Sequence, residues 1–429
     1  IINNSESKIV ICRNQEYVDR VNSFKANLPL VTKCIASNAN LPDESWLGFD
    51  DWIKDEADNN PNEDINNDDA VYQMYTSGTT GRPKGVIIVQ SNVIANINQT
   101  ENWVERIDNI KNLLVAPVYH AAAAINLLNT VSRGGSIVVH EDFNPVEVAK
   151  TLSEQNITNT VMVPAMIQAC IYMVPDIDKM NFSNLDHISY GGSPISPEVL
   201  TKAMDVFKCD FGQGFGMTEN VAVLCFLTFE DHKEALADKP HLLKSCGRPV
   251  EGCTIEIRDS NEKEVPRGTI GQVCAHGPQV MKGYWKKEEA SKETLAGGWL
   301  HTGDAGRMDE EGYVYIEDRI KDMIVSGGEN IYSIEVESAL MEHPEITDAA
   351  VIGVPDEKFG EAVKAFIVTK DGKKIEQEEV IEFSKKLIAG YKTPKSVDIV
   401  EIIPRNPSGK ILKKVLREPF WEGKDRQVG

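Results

Sequence analysis

The sequence predicts an α/β fold: a large N-terminal domain of α/β and β-rich parts, followed by a small, mobile α+β C-terminal domain. Three observations predict it. Short apolar runs alternate with amphipathic helical patterns through the first half of the chain, the texture then turns to strands punctuated by Gly and Pro, and a compact helix–strand–strand–helix pattern follows Asp318-Arg319-Ile320-Lys321-Asp322. With 429 residues, 41% of them hydrophobic, the chain is also longer than one core usually supports.

The elements follow in order. Residues 55–70 are acidic, Asn-rich and nearly free of apolar side chains, so they read as a solvated connector. Beyond them, the apolar runs 71–75, 113–116, 160–163 and 188–190 read as buried strands, and 197–207 as a helix. From about Lys244 the strands 254–258, 271–275 and 312–316 form a β-rich part. The C-terminal unit reads as helix 333–341, strands 349–354 and 362–369, helix 377–388 and a basic helical stretch 411–417. The resulting parse is 1–320 and 321–429, with no internal repeat.

The net charge of −21 and pI near 4.9 exclude nucleic acid and anionic membranes as general partners, so anionic substrates would need local basic sites. No apolar run approaches the ~18 residues of a membrane span, and the first residues lack the order of a signal peptide. A soluble, cytoplasmic protein is expected. The eight cysteines are scattered singly, which suits buried thiols rather than disulfides or a metal clip.

The strongest local signal is Tyr75-Thr76-Ser77-Gly78-Thr79-Thr80-Gly81-Arg82-Pro83-Lys84-Gly85-Val86, directly after a strand-like run. Glycines free backbone amides to turn inward, hydroxyls add donors and Lys84 adds positive charge, a set suited to a polyphosphate. It is not a Walker A loop, because Pro83 and Gly85 flank the lysine where that motif needs Gly and Ser or Thr. A plain Ser/Thr/Gly linker would leave the terminal lysine unexplained.

This string closely resembles the phosphate-loop signature of the adenylate-forming superfamily of acyl-CoA synthetases, peptide-synthetase adenylation domains and luciferases. Further matches follow in the same order: Pro117-Val118-Tyr119-His120, Gly191-Gly192-Ser193-Pro194, Gln213-Gly214-Phe215-Gly216-Met217-Thr218-Glu219, Trp299-Leu300-His301-Thr302-Gly303-Asp304, Asp318 to Asp322 with Gly327-Gly328-Glu329-Asn330, and Pro404-Arg405-Asn406-Pro407-Ser408-Gly409-Lys410. They cover nearly the whole chain.

The resemblance implies a ligase that activates a carboxylic acid with ATP as an acyl adenylate, releases pyrophosphate and passes the acyl group to coenzyme A, with Mg²⁺ on the phosphates. By the same resemblance Thr76, Ser77, Gly78, Thr79, Thr80, Gly81 and Lys84 cradle the phosphates. Gly192, Ser193, Pro194, Gln213, Gly214, Phe215 and Gly216 form the adenine slot, and Thr218 donates to the α-phosphate. Glu219 holds Mg²⁺, and Asp304 and Arg319 take the ribose. Lys410 stabilises charge developing between carboxylate and α-phosphate. Lys321 is the hinge, and Gly327, Gly328 and Glu329 line the CoA path. Each residue has a plainer reading: a helix start for Thr218-Glu219, a core aromatic for Phe215, a Gly-Asp turn for Asp304, a surface cation for Arg319 or Lys410. His120 is expected as an aromatic gate rather than a base, since adenylation uses an already ionised carboxylate.

Peptide-synthetase relatives carry an Asp just after the position of His120, where this chain has Ala121 to Ala124. An amino-acid substrate is therefore not expected. The acyl pocket is assigned to His120, Ala121, Ala122, Ala124, Gly216 and Met217, with fatty or other aliphatic acids ahead of aryl acids. Loading of a separate carrier protein is the alternative within this chemistry, and a non-catalytic ATP- or acyl-binding remnant the alternative outside it. The remnant reading arises because only 74 residues precede Tyr75, starting at Ile1, where the family has a sizeable segment. The front of the large domain is therefore expected to be missing. A homodimer is compatible with the sequence.

Overall fold

The computed structural model describes residues 1–76, 83–101, 109–193, 195–405 and 410–422. They form two compact units, one of residues 1–90 with 282–288, the other of 91–281 with 289–429.

In the first unit, three short parallel strands, Ile9–Cys12, Lys33–Ala36 and Trp46–Gly48, pack with helix Gln15–Asn22 around Val18, Cys34 and Trp46. Residues 56–69 form neither helix nor strand and are exposed, as their acidic, Asn-rich composition dictates. Strands Ala70–Thr76 and Lys84–Val89 then pair antiparallel, placing Thr76 opposite Lys84, and Gly283–Tyr284 adds a third strand. The glycine-rich segment 77–82 therefore joins two strands rather than a strand and a helix, in keeping with its departure from the Walker pattern.

The second unit is built on a seven-stranded sheet. Its order is Arg248–Pro249, Cys225–Leu227, Asp210–Phe215, His187–Gly191, Asn159–Met162, Lys111–Leu114, Ser136–Val139. The last five strands are parallel, and each is joined to the next in sequence by one helix. The first of them in the chain, Lys111–Leu114, lies between the second and third. The strand order thus reverses direction beside it, a doubly wound topology with a crevice at the carboxyl ends of the strands. Leu113, Ile157, Met162, Ile188, Phe207 and Phe211 fill the core with essentially no exposure.

Helix Pro197–Phe207 shows how locally this is written. Ser196 caps it by accepting the Val199 N–H at 3.2 Å, Pro197 supplies a preset first turn, and Lys208 ends it in a left-handed conformation.

A four-stranded antiparallel sheet follows: Thr254–Arg258, Gly271–His276, Leu300–Met308, Val314–Arg319. The last strand begins two residues later than its apolar pattern suggests. Asp309 accepts the N–H groups of Glu311 and Tyr313, which folds Gly312 into a turn at φ +84°. The single turn Ile320–Asp322 leads to the last sheet, in the order Glu329–Ile331, Ile324–Ser326, Gly360–Thr369, Ile346–Asp356, with Ser396–Ile399 parallel to Gly360–Thr369. Helices Ser333–Met341 and Gln377–Ser384 contribute Val336, Leu340 and Val380 to its core with Ile324, Val351 and Ile367. The final helix, Lys413–Trp421, starts later than residue 411 because Ile411 is instead bridged to Arg405.

Candidate functional site

Three of the sequence motifs sit at or just past the carboxyl ends of the parallel strands. His120 follows Lys111–Leu114 at the reversal point, Gly192 and Ser193 follow His187–Gly191, and Gln213 to Phe215 end the strand that leads into Met217-Thr218-Glu219. In an open parallel sheet this edge is where ligands bind, since strand ends and helix starts leave polar backbone groups facing one crevice.

The turn carrying Thr218 and Glu219 is held rigidly. The Met217 N–H donates to Asn220 Oδ1 at 2.7 Å, the Asn220 N–H donates back to the Met217 carbonyl at 3.2 Å, and the Glu219 carbonyl accepts Met281 N–H at 2.8 Å. Val221, fully buried, then takes φ +70° and ψ −61°, with Ala222 N–H donating to the Asn220 carbonyl at 2.9 Å. This is a γ-turn of the strained kind, unusual for a β-branched residue. Gly216 is needed beneath it, because a Cβ there would lie 2.0 Å from the Ala222 carbonyl oxygen. No sequence pattern singled out Val221; the turn supports the backbone that carries Thr218 and the buried Glu219.

His120 caps helix Ala121–Ser132 with its backbone carbonyl only, accepting from Ala123 and Ala124. Its ring lies 4.7 Å from that of Tyr119, and among the described residues its buried Nε2 has no hydrogen-bond partner. Burial lowers its pKa below the usual 6.5, which favours the neutral ring. Ala123 and Ala124 are buried against the sheet, Ala121 is half-buried and Ala122 exposed, so the four alanines do not share one face. Phe215 and Met217 pack against the cluster that includes Leu224 and Ile255.

The second group of site residues comes from the antiparallel sheet. Asp304 and Arg319 are directly opposite across two strands, and Arg319 Nε lies 2.7 Å from Asp304 Oδ1. The guanidinium also donates to the Thr302 carbonyl at 3.1 Å. Asp304 is 3% exposed; desolvation raises its pKa, with Arg319 and Lys410 opposing. Lys410 thus belongs to the same electrostatic cluster, and Arg405 bonds Asp348 at 2.7 Å. Part of Lys410 remains in water, but its ammonium is crowded by protein and by the cations Arg319 and Lys321. Desolvation first, then those charges, brings its pKa down to about 8, against the pull of Asp304 and Asp322. Lys321, in the turn Ile320–Asp322, is lowered as well, mainly by burial.

Gly327 and Gly328 form the two-residue turn of the hairpin Ile324–Ser326/Glu329–Ile331, both at positive φ (+62° and +87°). The hairpin itself therefore requires this pair, apart from any part in a CoA path. A Cβ on Gly328 would meet nothing within 4 Å, and Glu329 is exposed. In the first unit Lys84 Nζ lies 4.6 Å from the Tyr284 ring centroid, next to Thr76 on the paired strand. Ser77, Gly78, Thr79, Thr80 and Gly81 lie outside the described residues, as do Pro194, Ser408 and Gly409.

Among the described residues no three His, Cys, Asp or Glu side chains converge as a metal site, and no helix is long and apolar enough to cross a membrane. The buried carboxylate of Glu219 thus fits Mg²⁺ carried largely by phosphate oxygens and water better than an ion caged by three or more such side chains. All eight cysteines are free thiols.

Comparison with known proteins agrees with this arrangement. Residues 1–285 match the AMP-binding enzyme family, and 335–410 match the AMP-binding enzyme C-terminal domain. A medium/long-chain-fatty-acid–CoA ligase of Mycobacterium tuberculosis is 38% identical over 85% of this chain and 64% of its own length. A fatty acid–[acyl-carrier-protein] ligase of Streptomyces coeruleorubidus is 35% identical over 89% and 73%, and a feruloyl-CoA synthase of Amycolatopsis 37% over 85% and 73%. The ATP-bound structure of MatB from Rhodopseudomonas palustris superposes with a TM-score of 0.87 at 27% identity, covering 98% of this chain and 80% of that one. The chain thus spans about two thirds to four fifths of the length of these relatives. Given the family match over most of the sequence, its order of motifs and their placement at the strand ends, this chain belongs to the AMP-binding enzyme family and carries that family's C-terminal domain.

Proposed function

We propose that this chain is an ATP-dependent, AMP-forming acid–CoA ligase. The observation that carries the reading is the gathering of Lys410 with Asp304 and Arg319, residues far apart in sequence, into one partly desolvated cluster. In the first half-reaction the ionised carboxylate attacks the α-phosphorus of ATP, a C(=O)–O–P bond forms, and pyrophosphate leaves with the electrons of the broken P–O bond. Lys410 supplies a cation where negative charge crowds, and Thr218 a hydroxyl donor. Glu219 would hold Mg²⁺, which would supply positive charge to the phosphates. Asp304 and Arg319 take the ribose, with Gly192, Ser193, Gln213, Gly214 and Phe215 around the adenine.

In the second half-reaction the thiol sulfur of coenzyme A attacks the acyl carbon, its proton is lost, and AMP departs. Neither step asks His120 for a base, which accords with a half-buried ring whose pKa burial lowers. We assign residues 1–320 to the AMP-binding domain and 321–429 to a smaller one pivoting at Lys321, with Gly327-Gly328 lining the thiol's path. A cytoplasmic setting suits the free thiols.

Aliphatic acids are placed first as substrates, since no carboxylate follows His120 to meet an ammonium group and the small alanines leave room. The likeness to a feruloyl-CoA synthase supports an aryl acid as the second reading, and that to a carrier-protein ligase a second acceptor. The test is incubation with ATP, Mg²⁺, CoA and a panel of fatty and aryl acids. AMP and acyl-CoA are expected in equal amounts; AMP from none of the acids contradicts the proposal, and AMP with thioester only on a carrier protein selects the second acceptor.

A further inference from the structure

Asp318 lies beside Arg319 at the end of strand Val314–Arg319, and it is 1% exposed. Neighbours on a strand face opposite ways, so while Arg319 turns to Asp304, the Asp318 carboxylate turns to the other side. There its Oδ2 accepts both the backbone N–H and, at 2.6 Å, the hydroxyl of Ser333, the first residue of helix Ser333–Met341. Its Oδ1 accepts the Arg319 N–H at 2.7 Å. Ser333, itself fully buried, in turn accepts from Lys413 Nζ, which also pairs with Glu337 at 2.7 Å. Glu337 accepts the Val351 N–H at 2.8 Å, tying the cluster to the long strand Ile346–Asp356. Lys413 opens the last helix just after Lys410, and Arg417 on that helix bonds Asp322 at 2.8 Å.

We propose that Asp318 is a positioning residue for adenylation: by gripping Ser333 and, through it, Lys413, it holds Lys410 beside Asp304 and Arg319. This rests on the two-step reading above. The Lys413–Glu337 and Arg417–Asp322 pairs join elements that all lie after Lys321, and organise them among themselves. Asp318 precedes Lys321, so its bonds to Ser333 span the turn and set the placement of that group against the Asp304–Arg319 pair. A carboxylate suits the task, because it satisfies an otherwise unpaired helix N-terminal N–H and offers its charge to Lys413 at once. Transfer to CoA has no use for Lys410 and so does not need the grip.

The experiment is single-turnover measurement of both half-reactions on the whole chain: acyl-adenylate formation from ATP and acid, and thioester formation from supplied acyl adenylate and CoA. Asp318→Ala is expected to slow the first at least about tenfold, the scale of losing a buried charged acceptor, and leave the second within about threefold. Asp318→Asn, which keeps shape and one acceptor, falls between. Asp318→Ala/Ser333→Ala together should be no slower than Asp318→Ala alone, since the Ser333 hydroxyl serves the grip only as the link from Asp318 to Lys413. Equal loss in the two half-reactions, as a general folding defect gives, overturns the proposal, as does unchanged adenylation in either Asp318 variant. If the unsubstituted chain forms no adenylate, the functional reading fails and the proposal with it; if it does, only the role of Asp318 is at stake.

Discussion

Lys410 concentrates the chemistry of the site in one group, and its surroundings make a pH signature. Its pKa is lowered from 10.5 to about 8, so the free chain loses the ammonium as pH rises through that value. Adenylation kcat/KM, which reports the free enzyme, should fall about tenfold per pH unit beyond it, while kcat should hold to higher pH because bound polyphosphate favours the charged form. Lys410→Arg should abolish the alkaline limb at reduced rate, since a guanidinium stays charged. Lys410→Ala should slow adenylate formation at least ~10²-fold. A pH profile of pyrophosphate release checks all of these. At this scale the sequence exposed the motif residues themselves, because their spacing is local. It marked Asp318 only as a motif residue and gave no role to it or to Ser333, Glu337 and Lys413, whose burial and pairing depend on elements brought together from distant parts of the chain.

Among the elements, helices with local stop and start signals were legible: Ser196-Pro197 and the run to Phe207 fix one, and the pattern of 333–341 another. Elements were found but their ends shifted, as where Asp309 draws Gly312 into a turn ahead of a strand or Arg405 pairs with Ile411 ahead of the last described helix. Hydrogen bonds outside the regular elements decide such ends, and periodicity carries no trace of them. The Gly327-Gly328 hairpin separates two causes that sequence alone merges. Gly328→Leu combines a left-handed strain of about 1–2 kcal/mol with added bulk, whereas Gly328→Asn adds a smaller side chain that tolerates positive φ. If the pair lines the thiol's path, both variants should make adenylate normally and transfer it slowly, and only the leucine should lower the melting temperature. Normal transfer by the asparagine variant would reduce the glycines to turn formers.

Over the whole molecule, the doubly wound sheet, the antiparallel sheet and the last α+β element supply three separate groups to the proposed reaction: Thr218 with Glu219, Asp304 with Arg319, and Lys410. The fold class was readable because alternating buried strands and helices leave a strong pattern; the pairing of strands was not, because register is a long-range choice. The proposed function divides the labour, with Lys410 assigned only to the first half-reaction. Lys321→Pro, by fixing a backbone torsion at the proposed pivot, should leave one half-reaction and depress the other. The most direct measurement is a quenched single turnover with ATP, Mg²⁺, CoA and the best acid of the panel, following acyl adenylate, AMP and acyl-CoA together in the unsubstituted chain and Lys410→Ala. Adenylate should appear before thioester and AMP, and the substitution should delay only its formation, leaving use of supplied adenylate nearly intact. Thioester formed with ADP and phosphate in place of AMP and pyrophosphate, or equal loss of both steps in Lys410→Ala, would contradict the account.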